Sequence, residues 1–239
     1  MPLPKIATPT YELELPSTGA TLNYRPFLVK EEKVLVIALE SEDNKQITNA
    51  IKAGLKSCIL SKGIKVEDLP TFDIEYLFLN IRGKSVGEDL EVNIICPDDN
   101  KTQVPVTIAL DEIEVQKDDN HTNKIKLDDS IMMEMKYPSL DQFIKNNFDF
   151  NDKNMMDQSF DLISTCIDKI YTEDEVWAAA DCTKKEMKDF LEQMNSNQFK
   201  EIEKFFETMP KLSHSISVTN PKTKVKSELV LEGLAAFFA

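Results

Sequence analysis

A switch in the spacing of apolar residues, from helical spacing to strict alternation, limits what this chain can fold into. Apolar and polar residues alternate over 90–96, a polar turn follows at 97–100, and the alternation returns over 104–110. This pattern predicts an antiparallel β-hairpin, because successive side chains of a strand point to opposite faces of the sheet. Over 74–81, apolar residues stand at i, i+3, i+4 and i+7, which predicts a helix. We therefore expect an α+β fold in which antiparallel hairpins flank helical blocks.

The order hairpin, proline stop, helices and hairpin is found twice along the chain. We interpret this as an internal duplication; the alternative is that hairpins resemble one another because they share turn chemistry. The predicted hairpins cover 11–24, 90–110, 125–136 and 216–231. The predicted organisation along the chain is an extended arm (1–9), unit A (10–115), a polar loop (116–123), unit B (124–234) and an apolar tail (235–239).

Helix starts are indicated by side chains that cap the first backbone N–H groups. Asp43 with Gln46, Ser139 with Gln142, Thr172 with Glu175 and Thr183 with Glu186 all have this spacing. Pro70 sets a further start. The pattern also predicts one long helix in unit B, whose apolar stripe consists of Met156, Phe160, Ile163, Ile167 and Ile170.

Charge and composition exclude several classes of protein. The 239 residues include 28 Lys and Arg against 42 Asp and Glu, a net charge of −14. Such a chain repels a phosphate backbone, so we expect no nucleic-acid partner. No apolar run is long enough to cross a bilayer and no signal-peptide core is visible, so we expect an intracellular product without membrane insertion. The four cysteines are expected to be reduced thiols.

No motif for catalysis, a cofactor or a metal is found. The chain lacks a G-x-S-x-G elbow, a phosphate-binding glycine loop and an H-E-x-x-H helix. Its two histidines, His121 and His214, have no motif partner nearby and are expected to be solvated. We therefore predict no catalytic residue, no cofactor and no metal ligand.

One turn has the beginning of a zinc-ribbon motif. Zinc ribbons often have C-P-x-C in their hairpin turns, and here Cys96 and Pro97 are followed by Asp99 at the second ligand position. The comparable turn of the last hairpin has Asn220 and Pro221, without sulfur. Because one thiolate cannot hold structural zinc, zinc binding is not expected; if these hairpins descend from zinc knuckles, packing has replaced the metal.

Apolar side chains in two places are candidates for contact with a partner. The C-terminal residues Leu234, Phe237 and Phe238 either pack on their own unit or dock into another protein. Met132 points away from Met133 if both lie in a strand, so one of the two is exposed or meets another protein.

The sequence also resembles a known family. The segments that carry the resemblance are 1–6, 24–33, 70–76, 79–85 and 135–140. They are similar to the baseplate hub subunit of T-even-like contractile-tailed phages, in particular the versions of marine, cyanophage-type relatives. The similarity covers 1–147 well, and the rest fits by length and by its terminal hairpin. Arg25, Lys30 and Glu31 lie where the resemblance is strongest, and we expect them to serve local structure or partner contacts.

The resemblance implies a non-enzymatic structural or assembly component of the tail baseplate hub, which binds other hub and tail proteins. It implies a protein made in the host bacterial cytoplasm and incorporated into the baseplate. One alternative is a hub assembly chaperone that is released and absent from the virion. A further alternative is a lytic enzyme that uses paired carboxylates, although no feature of the sequence marks such a pair.

Overall fold

The computed structural model describes residues 6–41, 43–139 and 155–233. Within these ranges both helices and strands are present, which confirms the α+β class. The helices are α1 (Val29–Glu40), α2 (Asn44–Cys58), α3 (Thr71–Val86), α4 (Met155–Cys166), α5 (Lys184–Glu192) and α6 (Ser196–Thr208). The strands are β1 (Tyr11–Glu14), β2 (Thr21–Tyr24), β3 (Asp89–Ile95), β4 (Gln103–Ala109), β5 (Glu114–Gln116), β6 (Lys124–Lys126), β7 (Met132–Met135), β8 (Ile167–Tyr171), β9 (Val176–Ala178), β10 (Lys211–Thr219) and β11 (Lys226–Glu232).

The described strands pair antiparallel in four small sheets. β1 pairs with β2 and β3 with β4, each as a separate hairpin. The orders β11-β10-β5 and β6-β7-β8-β9 form the two larger sheets. All four hairpins predicted from the sequence are therefore confirmed, while β5, β8 and β9 were not predicted.

Several helix starts are also confirmed. The Thr183 hydroxyl accepts a hydrogen bond from the Glu186 N–H at 3.2 Å, and the Glu186 carboxylate accepts one from the Thr183 N–H at 2.7 Å. Asp43 accepts the Gln46 N–H at 3.3 Å ahead of α2. Each bond occupies a backbone donor that the first helical turn leaves without a partner. The cap predicted at Ser139 and Gln142 involves residues outside the described ranges.

The long helix predicted in unit B is wrong at its C-terminal end. α4 stops at Cys166, and Ile167 and Ile170 belong to β8. Both are buried although they lie three positions apart, because the register shifts where β8 pairs with Glu134 and Met135 of β7. A β-bulge of this kind adds one residue on one strand, so that a spacing of two becomes three and resembles a helix.

The capping pair predicted at Thr172 and Glu175 is also wrong as a helix start. The Glu175 N–H does donate to the Thr172 hydroxyl, at 3.1 Å, but the Thr172 N–H donates to the Glu175 carbonyl at 2.9 Å. These bonds close the turn between β8 and β9. The same side-chain bond serves helix caps and tight turns alike.

The buried apolar residues form two clusters. The first lies among β1–β4 and α1–α3, and includes Leu22, Leu55, Leu77 and Ile81. The second lies among β6–β8 and α4–α6. The last hairpin joins the first cluster, because β10 pairs with β5 and buries Leu212, Ile216 and Val218 there. The division into units A and B stays a prediction.

Aromatic rings connect the second cluster with α3, a helix that also carries part of the first cluster. The Tyr137 ring lies 5.1 Å from that of Phe72 on α3 and 5.7 Å from that of Phe205 on α6, measured between centroids. Beside it, the Thr71 N–H donates to the Pro138 carbonyl at 2.9 Å. The segment after β7 is thereby held against the start of α3.

Candidate interaction surface

A buried ion pair fixes the start of α1. Nη2 of Arg25, which follows β2, lies 2.8 Å from Oε1 of Glu31, whose side chain is only 8% exposed. Glu31 also accepts the Leu28 N–H at 2.9 Å and the Ser57 hydroxyl at 3.2 Å. Arg25 donates in addition to the Pro26 carbonyl at 2.8 Å. The pair therefore joins β2, α1 and α2.

The environment of Glu31 keeps its carboxylate ionised. Burial alone would raise its pKa. The hydrogen bonds from Arg25, Leu28 and Ser57, together with the positive charge of Arg25, outweigh burial and lower the pKa to about 2. Arg25 thus pairs with an acid and also donates to a carbonyl group, which is the local structural role expected of it. Lys30 lies 3.4 Å from Glu31 and is 71% exposed, at the rim of this group.

With its start held in this way, α1 presents an apolar face outward. Val29 is 80% exposed, Val34 is 52%, and Val36 and Ile37 are each 53% exposed. The opposite side of the helix buries Ala38 against α2. We define Val29, Val34, Val36 and Ile37 as the α1 face.

A shallow apolar cavity continues this face. Its volume is about 180 Å³, and its walls include Val36 of α1, Ile47 and Ile51 of α2, and Phe78 and Val86 of α3. Val86 is itself 63% exposed. A surface helix normally confines its apolar residues to the buried side, whereas here they also point away from the core.

Sequence reasoning missed the α1 face, although a signal for it exists. Residues 34–38 read Val-Leu-Val-Ile-Ala, so apolar side chains surround the helix. A helix that is apolar on all sides is expected to be covered on all sides. Where the chain's own core covers only one side of such a helix, the exposed side indicates contact with a partner.

The remaining candidates from the sequence lie elsewhere or outside the described ranges. Met132 is half-buried in β7 opposite Lys126 and Tyr171, while Met133 is fully buried. The two methionines thus point to opposite faces, as the alternation predicted. Leu234, Phe237 and Phe238 lie outside the described residues.

The two histidines are only partly exposed and each ring has a hydrogen-bond partner, so neither is the fully solvated side chain that was expected. Nδ1 of His121 lies 2.9 Å from the Thr208 hydroxyl, and its ring is 5.6 Å from the Tyr137 ring; burial lowers its pKa. Nδ1 of His214 lies 3.0 Å from the Glu112 carbonyl oxygen. Within the described ranges, no three His, Cys, Asp or Glu side chains are arranged to hold a metal ion.

Helix length and hydropathy decide whether a helix could cross a membrane. In the part of the chain that the structure describes, no helix is both long enough and apolar enough to cross a membrane.

Comparison with known proteins identifies the family. Searches among curated proteins and among solved structures find no significant match. The sequence profile described as T4 bacteriophage base plate protein, by contrast, matches residues 8–239. That match covers nearly the whole chain and agrees with the resemblance of its N-terminal half to phage baseplate proteins. The chain therefore belongs to the T4 bacteriophage base plate protein family.

Proposed function

We propose that this protein is a non-enzymatic component of the baseplate hub and that it acts by binding other baseplate proteins. Membership of the baseplate family supports the location in the phage tail. The observation that carries the binding role is the α1 face, four large apolar side chains that are each more than half exposed on one helix. Burial of apolar surface is the main driving force of association between proteins.

The occupant of the α1 face is proposed to be a different baseplate protein. Two copies of a chain with net charge −14 repel each other, which opposes self-association. Lys30 and Lys33 are exposed on the same helix, so an apolar segment flanked by acidic residues fits this surface. Arg25 and Glu31 are proposed to hold α1 in position, and Lys30 to contact the partner.

The remaining sequence candidates are proposed as a second contact. Leu234, Phe237 and Phe238 are proposed to dock into a partner, and Met132 is proposed as a partner contact of its own. Deletion of 237–239 should then leave the helix content unchanged and abolish hub assembly. Loss of folding on deletion would instead place the tail in the chain's own core.

The α1 face can be tested by adding charge to it. Val34→Asp with Ile37→Asp places two carboxylates on an exposed surface outside the apolar cavity, so circular dichroism and the thermal midpoint should stay close to the wild type. Capture of baseplate proteins from infected cells, and rescue of phage yield, should be lost. Val176→Asp, at an apolar residue of β9 that is 66% exposed, is the matched control and should retain both. Equal binding by the two variants would contradict the proposal.

Mass spectrometry separates a resident hub subunit from a released chaperone. Intact purified particles and infected-cell lysate are compared for the copy number of this chain. A small fixed number per particle supports the structural role. Presence in lysate with absence from particles would replace it with the chaperone, whose high net charge favours solubility.

A further inference from the structure

Two hairpin turns that are distant in sequence lie against each other. Nδ2 of Asn220, in the β10–β11 turn, donates to both carboxylate oxygens of Asp98, in the β3–β4 turn, at 3.0 Å each. The Thr223 hydroxyl donates to the same carboxylate at 2.5 Å. Asn220 is 1% exposed, which is unusual for an amide in a turn.

The first five residues of the two turns share a backbone path, although the turn at 96–102 is one residue longer than the turn at 220–225. In each, the second residue is a proline, Pro97 or Pro221. The N–H of the fifth residue donates to the carbonyl of the first at 2.9 Å, Asn100 to Cys96 in one turn and Lys224 to Asn220 in the other. The fifth residue has positive φ in both, 51° and 65° respectively. Among non-glycine residues of the described ranges, these two alone have positive φ.

The ligand spacing of a zinc ribbon can be compared with these two turns. In zinc ribbons, paired turns supply ligands with C-x-x-C spacing, at the first and fourth positions of each turn. The equivalent positions here are Cys96 and Asp99 in one turn, and Asn220 and Thr223 in the other. Only one of the four residues is a thiol.

Side-chain oxygen atoms at three of these four positions accept backbone N–H groups of the turns. Oδ1 of Asn220 accepts the N–H groups two and three residues ahead, at 2.9 and 3.4 Å. Oδ1 of Asp99 does the same in its own turn, at 3.0 and 2.9 Å. The Thr223 hydroxyl accepts the Val225 N–H at 3.3 Å. Successive N–H groups that converge in this way bind anionic ligand atoms in metal centres.

We propose that the paired turns are a zinc-ribbon frame in which hydrogen bonds to Asp98 have replaced the metal. Neutral Asn220 and Thr223 cannot supply the anionic ligands that zinc requires of a structural site. They instead donate to the Asp98 carboxylate, which joins the turns. The bonds from Thr223 and Asn220 lower the pKa of Asp98, whereas the pKa of Asp99 is lowered mainly by bonds from the Thr102 side chain and from the backbone of Thr102 and Lys101. The ribbon then comprises β3, β4, β5, β10 and β11, and residues 117–210 are an insertion within it.

Restoring the thiols tests this directly. The variant Asp99→Cys, Asn220→Cys, Thr223→Cys has four cysteines at the four ligand positions, because Cys96 is already present. Titration of the reduced protein with Co²⁺ should give one equivalent of a tetrahedral thiolate site, seen in its visible bands and its sulfur-to-cobalt charge-transfer band. Zn²⁺ should displace the cobalt and raise the thermal midpoint.

Two controls distinguish metal binding at the four equivalent positions from metal binding caused only by the additional cysteines. The variant Lys101→Cys, Lys222→Cys, Val225→Cys moves each new cysteine two residues along the chain and should give no tetrahedral spectrum. Cys96→Ser within the restored variant should weaken Co²⁺ binding by at least about tenfold, since it removes one ligand. If the restored variant folds and binds Co²⁺ no better than the displaced one, the proposal is wrong.

The remaining outcomes also decide the question. If the restored variant folds only with Zn²⁺, the frame is supported, because ligand binding then supplies folding energy. If it does not fold at all, Asn220→Cys with Thr223→Cys retains Asp99 as an oxygen ligand and should bind Zn²⁺ through three sulfurs and one carboxylate. Failure of that folded variant to bind overturns the proposal, as does one equivalent of tightly held zinc in the wild-type protein.

Discussion

At the scale of single residues, two buried carboxyl groups have opposite electrostatic surroundings. Glu31 lies beside the Arg25 guanidinium, and its pKa falls to about 2. Asp73, on α3, is fully buried; burial raises its pKa, although it accepts the Ser17 N–H at 3.0 Å and the Ser17 hydroxyl. Resemblance placed Arg25 and Glu31 among the notable residues, but only the fold shows that they join three elements.

Glu31→Gln should destabilise the protein by about 1–3 kcal/mol at neutral pH, because Arg25 then loses a charged partner in a buried site. The pKa of Glu31 is lower in the folded state, so its contribution is fully present above about pH 4.5 and is lost as the pH falls toward 2. Urea unfolding of wild type and variant at pH 7, 5 and 3 should therefore show a difference that shrinks with acidity.

The matched comparison for this experiment is Asp73→Asn. Since the folded-state pKa of Asp73 is raised, the wild type loses stability relative to this variant as the pH rises above about 3.8. The two differences should thus change with pH in opposite directions. If both stability differences change with pH in the same direction, at least one of the two carboxyl groups does not have this environment.

At the scale of helices and strands, the sequence predicted elements that local chemistry determines. The four hairpins, and the helix starts at Asp43 and Thr183, were found where expected, because a few neighbouring residues decide them. The strands that were missed depend on distant partners. β5 has three residues and pairs with β10 about a hundred positions later, and β8 is recognisable only with its bulge against β7. The α1 face was missed because periodicity shows which residues can be buried, not which faces the fold leaves open.

A close approach between α3 and the turn after β4 gives a prediction at this scale. A Cβ at Gly83 would lie 1.9 Å from Cδ1 of Leu110, so Gly83→Ala should force the leucine aside. With Leu110→Ala the obstacle is gone, and Gly83→Ala should then stabilise by about 0.5–1 kcal/mol, the usual helix-propensity gain. Denaturant unfolding of the four proteins gives the coupling energy. Additivity of the two substitutions would contradict the contact.

At the scale of the whole molecule, aromatic rings and a backbone hydrogen bond lie between the helix α3 and the second buried cluster. Rings of Phe72, Tyr137, Phe205 and His121 and the bond from Thr71 to Pro138 lie at the junction. The proposed partner face on α1 belongs to the first cluster, while Met132 lies in the sheet of the second. Partners bound at both places would therefore depend on this junction for their relative position.

Tyr137→Ala should separate the unfolding of the two clusters. The substitution removes a ring that contacts Phe72 on one side and Phe205 on the other, and we expect a loss of about 2 kcal/mol, below the range for a fully buried aromatic residue. Wild-type amide protection should be lost in one step with rising denaturant, since the clusters support each other. In the variant, α6 and the β6–β7 hairpin should exchange at lower denaturant than α3 and the β3–β4 hairpin.

Tyr171→Ala, which removes a ring of the same size from half-buried β8, should lower protection in its own sheet without separating the transitions. If Tyr137→Ala lowers protection equally in both clusters, the ring contributes packing to one shared core and does not couple two.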